Sequence, residues 1–156
     1  MGGVRVVTDS CSGLSPEAAG LLGVEVVPLT VSFGDESFLD GVDISTAEFY
    51  VRMRKGGVLP RTSQPSPGQF LEAFSRVAGQ GAEGIVVITV AARLTGTFQS
   101  ALQAAGSFSE LPVQVVDSGT ASLAERFAVE AAARAAAVGA TVAEVAAVAR
   151  GVAART

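Results

Sequence analysis

Short runs of β-branched residues alternate along this chain with segments of helical character, and this alternation restricts the fold more than any other feature. The runs cover residues 4–8, 24–33, 84–90 and 113–116. The run at 84–90, GIVVITV, is apolar throughout, as expected of a strand covered on both faces, and the run at 113–116 indicates a further buried strand. Strands that alternate with single helices pair side by side in a parallel sheet. We therefore predict an α/β fold of three layers, with a mainly parallel sheet flanked by helices.

Capping signals mark where the helices begin and end. Ser15 and Pro16 open a helical segment that stops at Gly23. A Ser or Thr followed three residues later by Glu or Gln forms a capping box, in which each side chain bonds the other residue's backbone amide. Three such boxes predict helix starts: Ser45 with Glu48, Ser66 with Gln69, and Thr141 with Glu144. The last box restarts an Ala-rich helix that is broken at Gly139.

Prolines and glycines predict breaks in the strands. Pro28 lies inside the second run and indicates an edge position or a bulge, because proline cannot donate to a strand ladder. The GDES segment at 34–37 predicts a hairpin turn that leads to a short strand around residues 38–39. The PRTSQP segment at 60–65 has a proline at each end, which predicts a stiff turn that carries two adjacent hydroxyls.

Histidine is absent from all 156 residues, and this restricts the possible chemistry. A Ser-His-Asp or Cys-His relay cannot be built from this chain alone. Cys11 is the single cysteine, so an internal disulfide is excluded and a zinc site is nearly excluded. Because nothing in the sequence lowers its pKa, we predict that Cys11 packs as a small apolar residue and is not a nucleophile. We expect no metal and no cofactor.

Charge and hydropathy indicate a cytoplasmic protein without a nucleic-acid partner. The net charge is −4, which offers no electrostatic footprint for DNA or RNA. The stretch from residue 128 to 148 is the most apolar, but Glu130, Arg134 and Glu144 interrupt it, so we predict a pair of helices and no membrane span. No signal-peptide pattern opens the sequence, and a lone cysteine fits a reducing compartment.

Short hydroxyls and glycines follow the predicted strands, where ligands of open parallel sheets bind. These positions are Ser10, Thr62, Ser63, Thr95, Gly96, Thr97 and Ser118. Each one alone is the type of residue that caps a helix or makes a turn, so the set is more informative than its members. Together they indicate a site for one anionic or polar head group. Asp9 and Asp117 are expected to orient the adjacent loops, since a carboxylate facing an anionic ligand would weaken binding.

Four segments occur in an order that resembles the DegV family: VTDSCSGL, TSQPSPGQF, RLTGTFQSA and VVDSGTAS. That family includes the fatty-acid-binding subunits of bacterial fatty acid kinase, and the similarity extends over essentially the whole chain. The resemblance implies that residues 1–156 form the N-terminal α/β lobe of such a protein. It also implies a second lobe, absent from this chain, that supplies a histidine to the head-group site.

The resemblance implies functional roles for particular residues. The carboxylate of a long-chain fatty acid would bind the hydroxyls of Thr62 and Thr95, with Ser63 and Gly96 shaping the same pocket. Its acyl chain would lie in an apolar tunnel, and a separate fatty acid kinase subunit would phosphorylate the carboxyl group. Weaker candidates for the site are Ser10, Thr97, Ser118 and Arg126. Ala124 and Arg126 stand where the family tends to have Gly-x-Gly, and Arg126 is either an anion contact or a solvated helix residue.

Three functions remain open from the sequence alone. The first is a lipid-binding carrier that has no chemistry of its own, and we favour it. The second is a hydrolase or phosphotransferase that uses Ser or Thr with Asp9 or Asp117, although it lacks an evident general base. The third is a regulatory or oligomerisation module, with the exposed parts of the C-terminal Ala-rich helices as its interface. An isolated lobe would also be able to pair as a homodimer through its exposed tunnel wall.

Overall fold

The chain forms two β-sheets and six α-helices in the computed structural model, which describes residues 2–156. The strands are β1 (Val4–Asp9), β2 (Val24–Val27), β3 (Thr30–Phe33), β4 (Glu36–Leu39), β5 (Arg61–Ser63), β6 (Gly84–Thr89) and β7 (Val113–Asp117). The helices are α1 (Pro16–Leu22), α2 (Thr46–Lys55), α3 (Pro67–Gly79), α4 (Thr97–Ser107), α5 (Leu123–Ala137) and α6 (Val142–Ala153).

The larger sheet is parallel and has four strands in the order β2-β1-β6-β7. In its register Val6 lies opposite Val24 on one side and opposite Val86 on the other. We call this sheet, together with α1 and α3 to α6, the parallel unit. Its architecture confirms the predicted α/β fold class with a mainly parallel sheet.

Alternate residues of β6 supply two separate cores, one on each face of the sheet. Val86 and Ile88 pack on one face in a cluster that includes residues of α1, α5 and α6. Ile85 and Val87 pack on the other face in a cluster that includes residues of α3 and α4, among them Phe74. Because strand side chains alternate between faces, a strand covered by helices on both sides must be apolar at every position. This confirms the three-layer prediction.

The second apolar run, residues 24–33, does not form one strand as predicted. Pro28 ends β2, and the chain then enters a second sheet as β3. Proline has no backbone N–H to donate and its φ is fixed, so it interrupts the ladder at this point. The edge position that Pro28 indicated is correct for β2, which borders the parallel sheet.

The second sheet is antiparallel and has the strand order β4-β3-β5. The predicted hairpin turn at 34–37 connects β3 to β4, with Gly34 at a φ of 63° in its centre. The predicted stiff turn at 60–65 is wrong in part, because residues 61–63 form β5 and pair with β3. We call residues 30–63, which include α2, the antiparallel unit.

The capping boxes and the helix break are confirmed. Ser45, Ser66 and Thr141 each accept a hydrogen bond from the backbone of the residue three positions later, and each box is complete. Gly139, at a φ of 90°, separates α5 from α6. β7 is less buried than predicted, because it is an edge strand and only Val116 is fully covered. Among residues 2–156, no helix combines the length and apolar character that a membrane span requires.

Candidate ligand-binding site

The sheet topology places a crevice beyond the carboxyl ends of β1 and β6. The chain leaves β1 for α1, whose Ala19 packs in the cluster on one face of the sheet. It leaves β6 for α4, whose Ala101 packs in the cluster on the other face. Where adjacent parallel strands send their connections to opposite faces, a crevice opens between the two loops, and ligands of open α/β sheets bind there.

The loop after β1 is held by its own hydrogen bonds. Asp9 caps a single 3-10 turn, Ser10–Ser12, and its Oδ1 accepts from the Cys11 amide at 2.9 Å. The Oγ of Ser10 accepts from the Leu29 amide at 3.0 Å and so ties this loop to the segment that follows β2. The predicted candidate Ser10 therefore lies at the crevice and uses its hydroxyl oxygen within the fold.

Two aspartates hold the loop after β6. The Oδ2 of Asp9 accepts from the Val90 amide at 2.8 Å. The Oδ1 of Asp117 accepts from the amides of Ala92 at 3.0 Å and Gly119 at 2.9 Å. Each carboxylate thus joins two chain segments at the carboxyl edge of the sheet, which confirms the prediction that Asp9 and Asp117 orient loops.

Thr95, Gly96 and Thr97 begin α4 at this edge. The Thr95 Oγ1 accepts from the Thr97 amide at 3.1 Å and donates to the Thr97 Oγ1 at 2.8 Å. Thr97 is fully buried, whereas Thr95 is partly exposed. Gly96 precedes the helix and has no side chain to cap it, so the Thr95 hydroxyl serves that purpose. Of the three residues, Thr95 is the one whose hydroxyl can reach solvent.

The TSQPS and LTGT segments meet through Gln64 and Gly96. A Cβ placed on Gly96 would lie 2.6 Å from the Gln64 Nε2 and 3.0 Å from its Cδ. The φ of Gly96 is −82°, a value open to any residue, so a side chain at this position would disturb the contact with Gln64 and not the backbone. The structure therefore brings these two distant segments together at the crevice.

Thr62 and Ser63 lie on β5, at the edge of the antiparallel sheet. Thr62 pairs with Val31 and Ser63 pairs with Thr30, and both hydroxyl residues are exposed. Successive side chains of a strand point to opposite faces, so these two hydroxyls are directed to opposite sides of β5. Their strand geometry separates two residues that the sequence presented as a pair.

Ser118 and Arg126 make contacts within their own segments. The buried Ser118 Oγ accepts from the Thr120 amide and donates to the Thr120 carbonyl, both at 3.2 Å. The Arg126 Nε donates to the Glu130 Oε1 at 2.7 Å, one helical turn along α5. With these partners, Ser118 shapes the turn after β7 and Arg126 is a surface helix residue. Their roles toward a ligand stay predictions.

Glu125 is a buried residue of this edge that the sequence reading missed. Its side chain is 0% exposed and its Oε1 accepts from the Thr8 hydroxyl at 3.3 Å. Burial first, then the neighbouring Asp9 carboxyl, raises its pKa to about 10. Burial also raises the pKa of Asp9, although three hydrogen-bonding neighbours oppose that shift. Helical spacing would have found Glu125, because it precedes the buried Ala128 and Val129 by three and four residues.

Backbone strain also occurs here, at the start of α5. Ser122 has a φ of 57° and a ψ of −132°, and among residues 2–156 it is the one non-glycine residue with a positive φ. Such a conformation costs on the order of 1–3 kcal/mol and persists where the surrounding structure requires it. The strained residue therefore stands directly before the helix that carries Glu125.

Cys11 has the environment of an unreactive thiol. Burial, with the nearby Asp9, Glu125 and Asp40 carboxyls, raises its pKa to about 12. A thiolate is the nucleophilic form, so a thiol that keeps its proton is inert at neutral pH. This agrees with the prediction for Cys11. Within residues 2–156, no cluster of three His, Cys, Asp or Glu side chains is arranged to hold a metal ion.

The fold and the edge geometry define the chain as an α/β protein whose polar side chains gather at the carboxyl ends of its central parallel strands. Comparison with known proteins makes the assignment specific. A family model described as "Uncharacterised protein, DegV family" matches residues 3–156. The chain belongs to the DegV family, as the four sequence segments predicted.

Relatives of this chain include proteins of known structure. A DegV domain-containing protein of Halalkalibacterium halodurans is 42% identical over 116 residues, which cover 74% of this chain and 41% of that protein. A structure described as "Fatty Acid Binding of a DegV family Protein from Thermus thermophilus" aligns with a TM-score of 0.85 and 34% identity, over 97% of this chain and 54% of that one. The structure of "DegV, a fatty acid binding protein from Bacillus subtilis" aligns with a TM-score of 0.84 and 27% identity, over 92% of this chain and 52% of that one. The chain thus spans about half the length of the relatives that it matches.

Proposed function

We propose that this chain is a lobe of a fatty-acid carrier and binds the carboxylate of a long-chain fatty acid at the crevice, between the TSQPS and LTGT segments. The close approach of Gln64 to Gly96 is the main support, because it joins the segment that carries Thr62 to the segment that carries Thr95. Solved relatives described as fatty-acid-binding proteins support the class of ligand. Gly96 then shapes the pocket around the head group, and Ser63, on the opposite side of β5, supports the strand that carries Thr62.

Neutral hydroxyl donors suit a carboxylate that must later react. A hydroxyl bonded to a carboxylate contributes about 1.5–3 kcal/mol, enough to fix the position of the head group without holding it as an ion pair would. The Thr95 hydroxyl now donates to Thr97, so ligand binding requires its proton to turn toward the carboxylate. Because β5 directs Thr62 and Ser63 to opposite sides, we assign the direct contact to Thr62 and leave Ser63 a supporting role.

Apolar side chains at the same edge are suited to the acyl chain. Leu94 follows β6 and is 58% exposed, and Leu123 and Phe127 in the first turns of α5 are 57% and 47% exposed. Leu123 and Phe127 are four residues apart and so share one face of the helix. Burying an acyl chain contributes about 0.8 kcal/mol per methylene, so apolar contacts set the affinity while the hydroxyls set the position of the head group.

The partner in this proposal is a fatty acid kinase subunit that phosphorylates the presented carboxyl group. The chain then acts as a cytoplasmic carrier and not as an enzyme. Asp9 is fully buried and bonded to backbone amides, which places it among structural groups and gives no support to the hydrolase alternative. A homodimer of the lobe, formed through the exposed apolar edge, is an alternative assembly that light scattering would detect.

The test is to purify the chain from a bacterial host, extract it with organic solvent and identify bound lipids by mass spectrometry. We expect a long-chain fatty acid in the extract of the wild-type protein. Thr95→Val keeps the shape of the side chain and removes the hydroxyl, so it should weaken binding of an added fatty acid by about tenfold, the effect of losing one hydrogen bond to a charged group.

Thr141→Val is the matched control, because the exposed Thr141 caps α6 with its hydroxyl as Thr95 caps α4. Its neighbour Val142 lies close to Gly84 at the start of β6, so Thr141 stands at the opposite end of the sheet from the crevice. This variant should bind as the wild type does. A wild-type chain that neither carries a fatty acid nor binds one when it is added would contradict the proposed function. Equal losses for Thr95→Val and Thr141→Val would remove Thr95 from the site.

A further inference from the structure

Two carboxyl groups lie together inside the protein, beneath the crevice. Asp9 and Glu125 are each 0% exposed, and their side chains are hydrogen-bonding neighbours. Asp9 ends β1, and Glu125 lies in the first turn of α5. Among residues 2–156, none of the four ion pairs includes either group, so no Lys or Arg compensates their charge.

The hydrogen-bond partners of the two groups are unequal. Both oxygens of Asp9 accept from backbone amides, those of Cys11 and Val90. Glu125 accepts one long bond from the Thr8 hydroxyl on Oε1, and its Oε2 is buried with no donor facing it. A buried carboxylate oxygen without a partner is costly, and two buried carboxylates at hydrogen-bonding distance repel each other.

One proton removes both difficulties. If it resides on the Glu125 Oε2, that atom becomes a donor and the neighbouring Asp9 carboxylate becomes its acceptor. The repulsion is then replaced by a hydrogen bond between an acid and its neighbouring anion, which is among the strong types in proteins. Asp9 is the better site for the negative charge, since the amides of Cys11 and Val90 already donate to it.

We propose that Glu125 is a positioning residue that stays protonated, donates a hydrogen bond to Asp9, and thereby fixes the loops that leave β1 and β6. Its relevance to ligand binding rests on the proposed function, but the hydrogen bond itself does not. Asp9 holds the amide of Val90, where the loop toward Thr95 begins, and it caps the turn that contains Ser10. The proton on Glu125 therefore supports one candidate residue on each side of the crevice.

The groups that act on this proton come from three elements of the fold. Asp9 belongs to β1, Cys11 to the 3-10 turn, and Glu125 to α5. Asp40, after β4, acts on the Cys11 thiol. The charged groups in this set, Asp9 and Asp40, are both acidic, and the Cys11 thiol is neutral. These surroundings therefore favour retention of the proton on Glu125.

The test uses the full 156-residue chain and three variants. Glu125→Gln keeps the shape and supplies an N–H donor to Asp9, whereas Glu125→Leu keeps the bulk and removes the donor. Glu130→Leu is the control on the same helix, at a partly exposed position that bonds Arg126. Carboxyl carbon NMR of the wild type follows the protonation of Glu125, and amide shifts of Val90 and Thr95 report the position of the loop.

We expect the carboxyl signal of Glu125 to remain that of a neutral acid through pH 7. The Val90 and Thr95 amide shifts should match the wild type in Glu125→Gln and in Glu130→Leu, and should move in Glu125→Leu. With added fatty acid, Glu125→Leu should bind about tenfold more weakly and Glu125→Gln within about twofold of the wild type.

Ionisation of Glu125 near its ordinary pKa would overturn the proposal, as would equal shifts in Glu125→Gln and Glu125→Leu. If Glu125→Leu does not fold, two measurements still test the proposal. These are the pH titration of the Glu125 carboxyl signal in the wild type and the Val90 and Thr95 amide shifts in Glu125→Gln. The NMR readouts need no ligand. If the wild type binds no fatty acid, the proposed function is contradicted. The Glu125 carboxyl signal and the Val90 and Thr95 amide shifts then still test the hydrogen bond from Glu125 to Asp9.

Discussion

The parallel unit and the antiparallel unit bury their apolar residues to different extents. β6 of the parallel unit is buried at all of its residues, from Gly84 to Thr89. α2 of the antiparallel unit has no fully buried residue, and its Tyr50 and Val51 are each 50% exposed. Both core clusters of the protein are built from residues of the parallel unit.

Surface contacts hold the antiparallel unit together. Phe33 and Phe49 pack with their rings tilted by 56° and their centroids 5.7 Å apart. The guanidinium of Arg52 lies 4.6 Å from the centroid of Phe38 and bonds Glu36 at 2.6 Å. Exposed ion pairs contribute about 0–1 kcal/mol, and cation–π contacts at exposed sites contribute about 0.5–1 kcal/mol.

The candidate site joins a well-packed region to a weakly packed one. Thr95 and Gly96 belong to the parallel unit, whereas Thr62 and Ser63 belong to the antiparallel unit. Regions with few buried apolar contacts open at lower free energy than the core does. One half of the proposed carboxylate site is therefore held rigidly by the core, and the other half depends on hairpin and surface contacts.

Matched phenylalanine truncations should show the largest effect. Phe74 is fully buried against Phe70 and Phe108, so Phe74→Ala should lower the free energy of unfolding by about 3–5 kcal/mol. Phe49 has two aromatic neighbours as well but is only half-buried, so Phe49→Ala should cost about 1 kcal/mol. Urea unfolding followed by circular dichroism measures both. Similar losses for the two variants would show that the units do not differ in packing.

The pH dependence of stability should come from the parallel unit. The pKa of Glu125 is raised from 4.5 to about 10 on folding, and that of Asp9 is raised too, so the folded state binds a proton that the unfolded state has released. Stability from this pair is full below about pH 4.5 and is lost as pH rises toward 10, by at most about 1.4 kcal/mol per pH unit for one proton. Urea unfolding at pH 5.5, 7 and 8.5, all below about 10, measures this slope.

Two variants test whether Glu125 causes this change of unfolding free energy with pH. Glu125→Gln cannot ionise and should lose most of the slope. Glu144→Gln is the control, because the pKa of Glu144 is lowered by its bonds to Thr141 and the residue titrates below this pH range. An unchanged slope in Glu125→Gln, or a rise in stability with pH in the wild type, would contradict this account.

The smallest effect is expected at the junction between the two units. Gly96→Ala places a Cβ 2.6 Å from the Gln64 Nε2, and the flexible Gln64 side chain must move away. The cost in stability should be under about 1 kcal/mol, since only the end of one side chain is displaced. Fatty-acid affinity should fall more, because the two segments of the site separate.

Combining Gly96→Ala with Gln64→Ala tests whether the two residues make the contact that joins the units. Gln64→Ala removes the clash, so Gly96→Ala should cost less in that background, with a coupling free energy of about 0.5–1 kcal/mol. Isothermal titration with a fatty acid and urea unfolding give both quantities. Strictly additive effects would indicate that Gln64 and Gly96 do not make the contact that joins the segments.

The sequence predicted those parts of the fold that depend on local signals. The capping boxes, the glycine stop at Gly23 and the apolar run of β6 each act within a few residues, and all were found as predicted. The antiparallel sheet depends on pairing between β3 and β5, which are far apart in sequence. Because no local pattern specifies such pairing, residues 61–63 were read as part of a turn.

The same distinction applies to the candidate site. Asp9 and Asp117 were correctly expected to orient loops, because carboxylates directly after parallel strands lie close to the amides of the next loop. Glu125 was overlooked within an Ala-rich helix, since its importance comes from a neighbour 116 positions earlier in the chain. The separation of Thr62 from Ser63 likewise follows from a strand that only tertiary pairing creates.

The break at Pro28 separates β2 of the parallel sheet from β3 of the antiparallel sheet. The parallel unit alternates strands and helices regularly, and the antiparallel unit interrupts this order once, between β2 and α3. The chain enters the interruption just after Pro28 and leaves it just before Pro65. The antiparallel unit is thus an insertion between β2 and α3, and the proposed site draws one half from this insertion and the other half, at Thr95, from the core.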